Sequence, residues 1–180
     1  MEMRTNGARY VSGFDLGNYT TSGTGNSISD VYVGLANGTM ADEDIFIDII
    51  NSATPTAIFE QTISPIAKMS VFYRMGSSGI YYSDAAVNVP LKMGTTYPVW
   101  NKYAAGTWTT EEAASGKFIA MWIIATDNIL APVELYLGQN VSDTLIDAKS
   151  VNTHIYDIYL VNADGSNPIN LTNAIDTPQG

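Results

Sequence analysis

His154 is the single histidine of this chain, and there is no cysteine, so nucleophilic and metal chemistry have few places to start. A Ser-His-Asp triad would need that histidine as its base, but no Gly-x-Ser-x-Gly elbow accompanies it. His154 opens the strand-like run HIYDIYLV and reads as a sheet histidine. A metal site built on it would take its remaining ligands from carboxylates, and none stands at ligand spacing. The densest acidic cluster, Asp42, Glu43 and Asp44 with Asp48, lacks the Asp-x-Asp-x-Asp-Gly pattern of a calcium loop and reads as a solvated turn before a strand. SGTGNS at 22–27 has neither the Gly-Lys-Ser/Thr nor the following helix of a phosphate loop. Glycoside hydrolysis needs two acids about 5–10 Å apart in a cleft. With 18 acidic residues some pair always qualifies, so this criterion discriminates nothing. The sequence therefore predicts no enzyme, no catalytic residue, no metal and no cofactor.

Binding chemistry is better represented. Tyr81, Tyr82, Tyr97, Trp100, Tyr103 and Trp108 crowd one stretch of the chain. Exposed aromatic rings stack on sugar faces and anchor protein interfaces. Tyr82, Tyr97, Trp100, Tyr103 and Trp108 are the candidate contacts with glycan or partner; the competing reading puts most of them in a core.

Composition narrows the partners. The chain has 180 residues, enough for one domain with a sizeable core. Only 14% of the residues are charged, against about 25% in typical soluble domains; Asn, Ser and Thr replace them. Such neutral polar surfaces suit extracellular or virion β-proteins. The net charge is −10 and the eight basic residues form no run. Nucleic-acid binding requires clustered Lys and Arg, and anionic membranes attract the same clusters, so neither partner is expected. Without cysteine there are no disulfides, and the core or partner chains must hold the fold. The N-terminus carries no apolar signal region, and no stretch reaches the roughly 18 apolar residues of a membrane span.

The elements that must position these residues are overwhelmingly β. YVSGF, DVYVGL, DIFIDII, MSVFYRM, GIYYS, AVNVPL, TYPVWNKY, FIAMWIIA, VELYLG and HIYDIYLV are short, rich in β-branched and aromatic residues, and separated by Gly, Asn, Pro and Ser punctuation such as ANGTMAD and GSSG. The expectation is a mainly β protein, an antiparallel sandwich or barrel-like domain over residues 1–180, with one short helix. That helix is placed at 142–149, with Ser142 as N-cap and Asp143 in its first turn. TEEAAS at 110–115 is a second candidate helical turn. Residues 17–29 read as a flexible Gly/Ser/Thr loop, and 163–180 as an extended tail.

FIAMWIIA, residues 118–125, is the most apolar run. Phe118, Ala120, Trp122 and Ile124 share one face; Ile119, Met121, Ile123 and Ala125 share the other. Neither is polar, so the strand needs cover on both sides, from a second sheet, the helix or a sister subunit. Phe118, Met121, Trp122 and Ile123 are accordingly candidate core or assembly residues.

GTW at 106–108, GKFIAMWIIATDN, PVELYLGQ at 132–139 and SDTLIDA at 142–148, in that order, resemble a module of tailed-bacteriophage virion proteins, often near the C-terminus of tail- or head-fibre proteins. The resemblance covers about residues 100–160. It implies virion structure or host attachment without catalysis. The expected partners are further copies of the chain (a homo-oligomer, trimer favoured), other virion proteins and host-surface glycan, and the expected location is the particle surface. A capsid decoration (cement) protein is the alternative within that class. Outside it stand a carbohydrate-binding module and a glycan hydrolase.

Overall fold

A computed structural model describes residues 9–21, 27, 29–42, 45–89, 91–150, 158–162 and 169–170. The protein is mainly β, as its alternating apolar runs predict, with open sheets around a shared core and one short helix. In chain order the strands are β1 (Arg9–Gly13), β2 (Leu16–Thr21), β3 (Val31–Leu35), β4 (Gly38–Asp42), β5 (Ile45–Asn51), β6 (Glu60–Gln61), β7 (Met69–Met75), β8 (Ile80–Val87), β9 (Val99–Ala104), β10 (Thr107–Glu112), β11 (Phe118–Ala125) and β12 (Val133–Ser142). They are followed by helix α1 (Leu145–Ser150) and the strands β13 (Ile158–Asn162) and β14 (Ile169–Asn170). A six-stranded sheet runs β14-β13-β11-β12-β7-β8, a four-stranded sheet β1-β4-β5-β6, and β2-β3 and β9-β10 are two-stranded hairpins. Most neighbours are antiparallel, but β12 pairs with β7, and β5 with β6, in parallel.

One aliphatic core joins these layers. The six-stranded sheet contributes Met69, Val71, Ile119, Met121, Val133, Leu135 and Leu137; Val31, Val33 and Leu35 of β3 and Met40, Ile47 and Ile49 of β4 and β5 meet them. The period-2 alternation read from the sequence accounts for this side, since Ile47 and Ile49 are buried while Phe46, Asp48 and Ile50 of β5 are exposed. β11 has both faces covered. Ile119 and Met121 enter the main core. Phe118, Ala120 and Trp122 meet Leu145 and Ala148 of α1 in a second, smaller cluster. Where β11 and β12 slip register between Ile119 and Met121, a Cβ on Gly138 would stand 1.8 Å from the carbonyl oxygen of Ala120, so only glycine permits the approach.

Several boundaries differ from the sequence reading. Ser142 ends β12, and the helix is capped by Thr144, whose Oγ accepts from the Asp147 backbone N–H at 3.1 Å and donates to the Asp147 carboxylate at 2.8 Å. Thr110–Glu112, expected as a helical turn, lies in β10, because cross-strand pairing with β9 outweighs the helix propensity of the Glu-Glu-Ala-Ala run. Residues 17–21, expected as loop, form β2 against β3. ANGTMAD, read as punctuation, contains β4, while AVNVPL forms no separate strand because its first residues extend β8. Within the expected tail, Ile169–Asn170 pairs with β13.

Candidate functional site

The most distinctive cluster of side chains gathers where the β7–β8 and β9–β10 hairpins meet. Residues 76–79, GSSG, turn β7 into β8 with both glycines at positive φ, 74° for Gly76 and 64° for Gly79. This turn sets the register Met75↔Ile80, Arg74↔Tyr81, Tyr73↔Tyr82 and Phe72↔Ser83. Arg74, Phe72 and Tyr81 therefore share the face turned away from the main core, and Tyr136 joins them because it pairs with Phe72. The second hairpin turns through Ala105 and Gly106, both at positive φ, the two-residue geometry that matches strand twist.

Two devices dock that hairpin beside β7. Asn101, only 1% exposed, uses its amide as a substitute strand. Its Oδ1 accepts from the Arg74 N–H at 2.7 Å, and its Nδ2 donates to the carbonyls of Arg74 at 2.8 Å and Thr109 at 3.1 Å. One turn further, Trp108 and Gly76 exchange backbone hydrogen bonds of 2.9 and 3.0 Å. The indole of Trp108 consequently lies beside the turn, where a Cβ on Gly79 would come within 3.0 Å of its Nε1.

The result is a cation held between two rings. The Arg74 guanidinium carbon stands 4.8 Å from the centroid of Tyr81 and 5.1 Å from that of Trp108. Tyr103 leans on Trp108 at 4.8 Å and is 57% exposed. On the other flank Tyr81 meets Tyr136 edge-on at 5.9 Å, and Tyr136 stacks on Phe72 at 5.0 Å. The Tyr136 hydroxyl donates to Glu134 at 3.0 Å, and Asn128 donates to the other carboxylate oxygen at 3.1 Å. Burial, reinforced by the Glu134 charge, pushes the Tyr136 phenol up to about 12. This ring is a hydrogen-bond donor at neutral pH and not a base.

The candidates named from sequence divide among five places. Tyr103 and Trp108 lie together at this cluster. Tyr82 is exposed on the opposite side of β8, stacked on Tyr73 at 6.4 Å. Trp100 packs against the main core, with the Lys102 ammonium 5.9 Å from its ring centre. Tyr97 is half-buried, its backbone N–H and that of Thr96 both bonded to the Glu112 carboxylate, which holds that carboxyl below its ordinary value. Of the strand candidates, Met121 is buried and Ile123 packs on the main core, while Phe118 and Trp122 lie under α1. His154, Glu43 and Asp44 lie outside the described residues. The Asp48 carboxylate accepts from Thr39 at 2.7 Å. No group of side chains suited to a metal ion forms among the described residues, and none of their helices is long and apolar enough to cross a membrane.

Arg74, Phe72 and Tyr136 are additions to the site that the aromatic-rich stretch did not suggest. A signal for Arg74 existed: in YRMGSSGIYY it stands symmetrically opposite Tyr81 across a four-residue turn. Tyr136 had none, since its place depends on a parallel pairing between distant strands. Compared with protein-family models, curated proteins and solved structures, the chain matches none of them.

Proposed function

We propose that this chain is a non-enzymatic structural protein of a bacteriophage virion, a fibre- or knob-like module. In this reading it assembles with copies of itself and with other virion proteins, and contacts the host surface through the Arg74–Trp108 face. The observation that carries the proposal is the character of that face. Large aromatic side chains, Tyr81 and Tyr103 among them, stand half in solvent around a cation. Aromatic and arginine side chains are the types that concentrate binding energy at interfaces. The order of motifs between residues 100 and 160 supplies the virion context. Further exposed apolar side chains, among them Phe46, Ile58, Leu130 and Ile146, favour a chain that meets other surfaces over an isolated monomer.

Size-exclusion chromatography with light scattering, together with protein analysis of purified particles, tests this reading. The expected result is a homo-oligomer that is present in virions; a stable monomer missing from particles would reject it. Capsid decoration is the second reading, motivated by the same exposed apolar residues. Deleting the protein separates the two: loss of host adsorption with intact particles supports the fibre-like role, and fragile particles with normal adsorption support decoration.

A further inference from the structure

Arg74 differs from Lys92, Lys102 and Lys117 in having no anion, and it is less exposed than Lys68, another described cation without an ion pair among the described residues. Lys92 meets Asp84 at 2.5 Å, and Lys102 and Lys117 form ion pairs with Glu111 and Asp143. Among the described residues no carboxylate pairs with Arg74, although the protein carries a net charge of −10. Its Nε is sealed from solvent without a hydrogen-bond partner, while the residue as a whole is only partly buried. A guanidinium without a carboxylate keeps its planar fork free for a ligand, and that fork is the group that grips a carboxylate with two parallel hydrogen bonds. The rings beside it leave room for more than an ion, since Tyr81 is 48% and Tyr103 is 57% exposed.

We propose that Arg74, Tyr81, Tyr103 and Trp108 form a binding site for a single acidic sugar residue. The carboxylate of a uronic acid sits on the Arg74 guanidinium, and the C–H face of the pyranose lies on the flanking rings. The proposal rests on the reading of this face as the one that contacts the host, and it names the ligand class. A sugar acid fits better than an acidic side chain of a protein partner, because the exposed Tyr81 and Tyr103 rings add flat apolar area near the cation where a carboxylate alone would use none. The protein's net negative charge opposes a dense polyanion at long range, so the site suits an isolated or terminal uronic acid within an otherwise neutral glycan.

The test is a titration of the full chain, followed by tryptophan fluorescence, with the methyl glycoside of galacturonic acid, its methyl ester and the neutral methyl glycoside of galactose. The acid is expected to bind about tenfold or more tightly than the ester, the size of effect that a charge-assisted hydrogen-bonded pair supplies. Arg74→Lys, which keeps the charge but loses the fork, should remove most of that preference. Tyr103→Ala removes a mostly exposed ring whose one ring contact is Trp108, and so guards against misfolding; it should weaken the acid and the ester alike, severalfold. Equal binding of acid and ester, or no binding of either, would overturn the proposal. So would binding of a poly-glutamate peptide in preference to the sugar acid, which would assign Arg74 to a protein partner. An oligomer that enters particles yet ignores the acid sinks this proposal alone, whereas a monomer absent from particles sinks the virion reading as well.

Discussion

The two faces of the six-stranded sheet use the same strands for opposite purposes. Toward the core, Val71, Ile119, Met121, Leu135 and Leu137 form an almost wholly aliphatic and fully buried layer. One residue along each strand, Phe72, Arg74, Tyr81 and Tyr136 form an aromatic layer around a cation, and it is only partly covered. The aliphatic face gains from shape and from the removal of water, so it tolerates no gap. The aromatic face gains from directional ring and cation contacts that survive partial hydration, so it remains available to bind. On the proposed reading, stability and recognition are separated by a single step of the strand period.

The sharpest way to break that separation is a cavity on the aliphatic side. Leu135→Ala should cost about 2–5 kcal/mol in urea unfolding, with the Arg74 environment unchanged in any molecules that stay folded. The next largest effect strikes the joint between the hairpins. Asn101→Ala leaves the Arg74 N–H and C=O without their partner and should cost about 2–3 kcal/mol. It should also release Trp108, seen as a red shift of tryptophan emission, whereas Leu135→Ala should leave that emission in place.

On the aromatic side the expected losses are smaller. Tyr81→Ala removes one cation–π contact and one ring pair from a half-exposed position and should cost about 1 kcal/mol. A loss as large as that of Leu135→Ala would show that the outer face is as much a core as the inner one, and the comparison would fail. The smallest effect runs the other way. Ala105 holds φ at 49° in a turn that favours Asn or Gly, so Ala105→Asn should stabilise by up to about 1 kcal/mol. That corresponds to a rise in melting temperature of about 2–4 °C.

Much of the scaffold was legible because it follows local rules. FIAMWIIA and MSVFYRM have the bounds read from their sequence, since apolar content and flanking turn residues are local signals. The errors share a cause. Thr110–Glu112 and Gly38–Asp42 lack strand-like composition and become strands only through the partner opposite them. The helix cap shifted from Ser142 to Thr144 because β12 continues past the VELYLG run to Ser142. Of the candidate contacts, sequence crowding named Tyr103 and Trp108 but could not separate them from Trp100, which packs on the main core, or from Tyr97, which lies before β9.

The sequence by itself determined a β-rich chain whose 118–125 strand requires cover on both faces, because alternation and the absence of polar residues are properties of the strand alone. Tertiary structure decided what provides that cover, the main core on one side and α1 on the other. It also decided that Asn101 would serve as a strand substitute and that Arg74 would lie between Tyr81 and Trp108 without a carboxylate. Those outcomes depend on which distant backbones run side by side, and no local periodicity encodes that.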